Sequence, residues 1–148
     1  TPRRVGRVAG AIGVAGLGER AAVVTRSGLQ YLDGIGGTTE TIPFEVGALE
    51  VGAAPDGSLL AVGHVDGQVS LWRPDATAPI AILEGHRGRV AGLSFSLDGN
   101  WLYTGSWDET VRAWYLGHLD SPADELRSAL EADLGESLDV VLSRELAG

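Results

Sequence analysis

Glu84–Tyr115 reads EGHRGRVAGLSFSLDGNWLYTGSWDETVRAWY, and this stretch decides the fold. Val90, Leu93 and Phe95 form one short apolar run, and Leu102-Tyr103-Thr104 forms a second. In a third, Val111, Ala113 and Tyr115 alternate with Arg112 and Trp114. Each run has strand length and none reaches helix length. Asp98-Gly99 and Asp108-Glu109 supply the turns between them, because these residue types tolerate tight backbone reversals. The expected local structure is a three-stranded antiparallel meander.

Several further features fall at fixed offsets in the same stretch. Gly85-His86 opens it, Leu97-Asp98-Gly99-Asn100 follows about a dozen residues later, and Thr110-Val111-Arg112-Ala113-Trp114 closes it. Together they resemble one WD repeat, the unit of a β-propeller blade. The resemblance implies a hydrogen-bonded network inside the blade, formed by His86, Thr104, Asp108 and Trp114. The chemistry fits, since a buried imidazole needs partners for both nitrogens and a carboxylate fixes its tautomer. Tyr115 follows Trp114 where the family usually has Asp.

Outward from this stretch the pattern recurs. Gly52-Ala53-Ala54-Pro55-Asp56-Gly57 precedes Leu59 to Gly63, as Ser94 to Gly99 precedes Trp101 to Gly105. Trp72 and Trp114 lie 42 residues apart. Gly13 to Gly18 precedes Arg20 to Val24 in the same way. A period near 40 with short strands in each unit is the propeller signature. Three degenerate repeats are therefore expected, near residues 1–40, 41–78 and 79–117. Repeat one has strands near 8–15, 20–25 and 28–33, with Leu32 near the Trp position. Repeat two has them near 48–54, 59–63 and 68–73. There Asp66 and Trp72 keep half of the polar network, Val62 stands at the Ser/Thr position, and Phe44 lies near the Gly-His position. Connecting strands are expected at 41–46 and 79–84, and another at Arg3 to Arg7.

Two local patterns in residues 3–18 invite other readings. The twin Arg before a small-residue apolar run resembles an export signal, but the apolar part is short and weak. Gly13-x-x-Gly16-x-Gly18 echoes a dinucleotide loop, yet a strand pattern and the Arg26-Ser27-Gly28 turn follow, with no room for a helix. Alignment with the later repeats accounts for the segment better.

After Tyr115 the pattern changes. Ser121-Pro122 has the form of a helix start, with Ser as N-cap and Pro in the first turn. Leu126, Leu130 and Leu134 follow at helical spacing. Residues 120–148 hold eight acids and two Arg. A short acidic helical C-terminal tail over 118–148 is expected, either solvated or docking through its apolar stripe.

Composition narrows the function. The net charge of -9 argues against a nucleic-acid binder and against a polybasic membrane patch. There is no Cys, hence no thiolate metal site and no disulfide. No run approaches the ~20 apolar residues of a membrane span. Gly is 22 of 148, about twice the ~7% average, which favours turns over long helices. Neither His64, His86 nor His118 pairs with a second ligand at metal spacing, and no Ser, His and acid show a nucleophile pattern. No catalytic residue, metal or cofactor is expected.

By the resemblance, the propeller face with the Gly-His loop and the second-to-third strand turns commonly binds partners. That places Arg87, Arg89, Trp107 and Glu109 on one rim, with His64 as the counterpart in repeat two. Exposed Trp and Arg are the residue types that make interface hot spots.

The expected fold is all-β, a partial WD-repeat β-propeller of about three blades. Propellers usually have ~4–8 blades, and the chain lacks Met and starts at Thr1, so a C-terminal portion of a longer propeller is expected. The expected function is a non-catalytic, cytoplasmic module for protein or peptide binding. It would be the scaffold or sensor part of a larger protein, with bacterial signalling as one setting. The alternatives are a propeller-scaffold hydrolase with its catalytic residues in other blades, and a fragment that closes by pairing with copies of itself.

Overall fold

Short period-two runs separated by Gly- and Asp-bearing turns form eleven strands in the computed structural model, which describes residues 7–35, 37–117 and 119. β1 (Ala11–Leu17), β2 (Arg20–Thr25), β3 (Gly28–Leu32) and β4 (Ile42–Pro43) make the first sheet in that order. β5 (Ala48–Ala53), β6 (Leu60–His64), β7 (Val69–Trp72) and β8 (Ala81–Leu83) make the second. β9 (Val90–Phe95), β10 (Trp101–Ser106) and β11 (Val111–Tyr115) make the third. Every pairing is antiparallel between sequence neighbours. The described residues are thus all-β and propeller-like, with no helix among them.

The expected strands are present, with β1 starting at Ala11 rather than near residue 8 and β4 shortened to two residues. The expected strand at Arg3 to Arg7 and the expected helical tail over 118–148 lie outside the described residues, except at Arg7 and Leu119. No helix among the described residues is long and apolar enough to cross a membrane.

The second sheet lies between the other two, and this explains its composition. All five residues of β6 are buried. Leu60, Val62 and Trp72 pack with Ala15, Val24, Leu29 and Tyr31 of the first sheet. Ala61, Val69 and Leu71 pack with Val90 and Leu102 of the third. A strand covered on both faces loses the polar alternation of a surface strand. Each large side chain so buried contributes about 1.5–3 kcal/mol of transfer free energy. The sheets approach closely at Gly63, where an added Cβ would lie 2.7 Å from Val90 Cγ1.

The turns segregate to two ends. One end carries the β1–β2, β5–β6 and β9–β10 turns, and the other carries β2–β3, β6–β7 and β10–β11. β11 has no outer strand beside it among the described residues. The outward faces of the first and third sheets leave Ile12, Val14, Tyr103 and Val111 exposed.

Candidate functional site

The third sheet builds its site from strand alternation. β10 and β11 pair Thr104 with Arg112 and Leu102 with Trp114, so Thr104 and Trp114 share the face toward the second sheet. His86 reaches that face from the loop before β9. Its Nδ1 lies 3.0 Å from Asp108 Oδ2 and its Nε2 lies 2.8 Å from Thr104 Oγ1. Trp114 Nε1–H donates to Thr104 Oγ1 at 3.0 Å. A carboxylate only accepts, so Nδ1 carries the proton and Nε2 accepts from the Thr104 hydroxyl. Every polar atom in this chain of bonds is then satisfied.

Asp108 does more than hold His86. It also accepts from the Arg87 N–H at 2.9 Å, the Thr110 N–H at 2.9 Å and the Thr110 hydroxyl at 2.6 Å. Burial pushes its carboxyl up. The Thr110 hydroxyl, the Arg87 N–H, His86 and the Thr110 N–H outweigh that and hold it well below the usual carboxylate range.

These bonds bolt the Gly85–Arg89 loop to the β10–β11 turn. Trp107 N–H donates to Arg89 O at 3.0 Å, and the Ser106 hydroxyl donates to Gly88 O at 2.9 Å. On this fixed base Trp107 is 69% exposed. The Arg89 guanidinium sits 4.9 Å from its ring centroid, a cation–π contact. Arg87 and Glu109 are exposed beside them, and Glu109 is held at φ 69, a left-handed conformation unusual for Glu. Arg87, Arg89, Trp107 and Glu109 thus come together at one end of the third sheet.

His64 is not part of such a rim. It is 5% exposed, because it continues the Leu60–Val62 face of β6 into the interface with the first sheet. Its Nδ1 lies 2.9 Å from Val46 O, and its Nε2 lies 2.7 Å from Ser70 Oγ. Trp72 Nε1–H donates to the same Ser70 oxygen at 2.8 Å. Repeat two therefore holds a His–Ser–Trp chain wired like His86–Thr104–Trp114, but with His and hydroxyl taken from different positions. Val62 at the expected hydroxyl position is replaced in that role by Ser70 on the next strand. Asp66 stands outside the chain and accepts from the Gln68 N–H at 3.0 Å. A backbone carbonyl, Val46 O, does for His64 what Asp108 does for His86.

A Ser hydroxyl 2.7 Å from an imidazole has the form of a nucleophile and its base. Here both groups are buried, and the Ser70 oxygen already accepts from Trp72, so the pair is closed to a substrate. Among the described residues no three His, Asp or Glu side chains gather as a metal site.

The model of the WD domain, G-beta repeat family matches residues 46–73 and 77–115. These two stretches are WD repeats. The matched stretches are the second and third sheets; the first sheet joins them by its identical strand order. Over 103 residues the chain is 32% identical to a periodic tryptophan protein 2 homolog of Schizosaccharomyces pombe, covering 64% of this chain and 12% of that protein. It is 38% identical over 68 residues to guanine nucleotide-binding protein subunit beta-5b of Danio rerio, 46% of this chain and 17% of that one. It is 38% identical over 71 residues to target of rapamycin complex subunit LST8 of Saccharomyces cerevisiae, 47% of this chain and 23% of that one. The chain spans less than a quarter of the length of each of these relatives. All three are eukaryotic and none of their names concerns bacterial signalling, so that expectation finds no support in them.

Proposed function

We propose that the chain is a non-catalytic protein-interaction module, built as blades of a WD propeller, whose third-repeat rim holds a protein or peptide partner. The observation that carries this reading is Trp107, 69% exposed on a turn that hydrogen bonds fix to the neighbouring loop, with Arg89 stacked on it. A rigid exposed indole with a cation beside it loses little conformational entropy on binding, which is what an interface anchor requires. Arg87 and Glu109 flank it and supply polar contacts of both signs. The naming of one relative as a complex subunit agrees with a partner that is a protein. A cytoplasmic setting, and a place as the scaffold part of a larger assembly, belong to the same proposal.

The test selects binding peptides by display on the wild-type protein and measures them on Trp107→Ala and Arg89→Ala. Anchors of this kind cost about 2 kcal/mol or more when truncated, so affinity should fall about thirtyfold with thermal stability unchanged. Binders that hold both variants as tightly as wild type would place recognition elsewhere.

A second reading has its own support. β11 lacks an outer strand among the described residues, and the outward faces expose Tyr103 and Val111 on one side and Val14 on the other. Such edges and faces invite a further copy. Light scattering on the 148-residue chain separates the readings: a discrete dimer favours closure by copies, and a monomer opposes it.

A further inference from the structure

A cleft of about 670 Å³ opens at the β2–β3 turn end of the first sheet, far along the row of sheets from Trp107. Its walls come from three separate pieces of chain: the segment entering β1, the β2–β3 turn, and the segment entering β4. What stands out is the charge. The chain carries 20 acids against 11 Arg, yet among the described residues the lining contains Arg7 and Arg26 and no acid. Both arginines are exposed, and neither pairs with a carboxylate among the described residues.

The remaining polar groups are of one kind. Ser27, Thr38 and Thr41 bring hydroxyls to the lining. The amide of Gln30 and the hydroxyl of Thr25 are already engaged with backbone carbonyls. Gln30 Nε2 donates to Thr39 O, and the Thr25 hydroxyl donates to Gly28 O, each at 3.3 Å. Ile12 supplies an apolar wall. Of the three hydroxyls, that of Ser27 lies 3.5 Å from the Thr25 hydroxyl. The cleft is thus lined by two arginines and by the hydroxyl residues Thr38 and Thr41, beside an apolar surface.

We propose that this cleft binds a phosphate monoester. Guanidinium groups pair with phosphate oxygens through two parallel N–H bonds, and hydroxyls can donate to the third oxygen. A monoester carries about -1.5 to -2 charge at neutral pH, which two arginines balance. The volume lies within the ~300–1,000 Å³ of small-molecule sites, so it admits the organic part of the ester as well as the phosphoryl group. The ester can come from a small metabolite or from a phosphorylated side chain of a peptide. The chemistry recognised at Arg7 and Arg26 is the same.

The test titrates the full chain with phenyl phosphate, with the peptide Ala-phosphoSer-Ala and with its unphosphorylated form, by calorimetry at low salt. Both phosphorylated probes should bind saturably with dissociation constants of about 1 mM or tighter, and the unphosphorylated peptide should not. The tighter of the two identifies the source of the ester. Arg7→Gln combined with Arg26→Gln should weaken binding at least tenfold. Arg26→Lys keeps the charge but loses the fork, and should fall between that pair and wild type. Circular dichroism confirms that each variant stays folded; both residues are exposed and neither belongs to the core. Trp107→Ala should leave phosphate binding unchanged. The proposal is overturned if neither ester binds up to tens of millimolar. It is equally overturned if the double variant binds within twofold of wild type, or if Trp107→Ala weakens the ester.

Discussion

Thr104→Val removes one oxygen and leaves the shape of the side chain almost intact. Thr104 is 1% exposed, and its hydroxyl both donates to His86 Nε2 and accepts from Trp114 Nε1–H. The His86 side chain is fully buried, so its Nε2 is left without a partner and with no access to water. A buried polar group stranded in this way costs about 1–3 kcal/mol. The half-buried Trp114 N–H adds a second penalty toward the low end of that range. Together the substitution should destabilise the chain by about 2–4 kcal/mol. Urea unfolding followed by circular dichroism reads this directly. With a slope of about 2 kcal/mol per molar, the midpoint should fall by about 1–2 M with the slope unchanged. A double-mutant cycle sharpens the test. In a Trp114→Phe background no indole N–H is left to strand, so Thr104→Val should cost about 1 kcal/mol less. A loss below about 0.5 kcal/mol in the wild-type background, or no coupling to Trp114, would refute the network as a source of stability.

The same network gives an acid dependence. The Asp108 carboxyl is held below its ordinary value in the folded chain, so its contribution is complete above the unfolded value of about 4 and is lost as pH falls below it. The wild-type urea midpoint should therefore drop on acidification below about pH 4, and Asp108→Asn, weaker at neutral pH, should show a shallower drop. Gly67 has φ 92, and an added Cβ would collide with His86 O and lie 3.0 Å from Gly88 O. Gly67→Ala should destabilise by more than about 2 kcal/mol, since strain and a backbone collision act together; a thermal midpoint within a degree of wild type would contradict the close approach of these two loops.

Much of the fold can be read from the sequence because its signals are local. Alternation within β9 to β11, and Asp-Gly turns at a repeating spacing, place the strands without reference to distant contacts. The His86–Thr104–Asp108–Trp114 chain is legible for the same reason, as the resemblance fixes each residue by its offset. The network of the second repeat is not, because its donors and acceptors have moved. His64 and Ser70 sit six residues apart on neighbouring strands, and only the register of the β6–β7 hairpin brings them together. That signal was present in the sequence. Folding the hairpin symmetrically about Asp66 puts Leu60, Val62 and His64 on the same face as Ser70 and Trp72, and the apolar members show that this face is buried. The parity of His64 with Leu60 and Val62 places it in the interior rather than on the rim. The cleft around Arg7 and Arg26 had no local signature, since three separate segments must converge to make it.

On the proposed function Trp72 and Trp114 serve the inside of their blades and Trp107 faces a partner. Hydrogen exchange of the indole N–H groups, followed by NMR and assigned with single Trp→Phe variants, tests it most directly. The Trp72 and Trp114 indoles donate to buried hydroxyl oxygens of Ser70 and Thr104 and should exchange only through opening of the fold. The Trp107 indole should exchange at close to the rate of a free side chain. A Trp107 indole as protected as that of Trp114, or a Trp114 indole exchanging as fast as that of Trp107, would contradict the account.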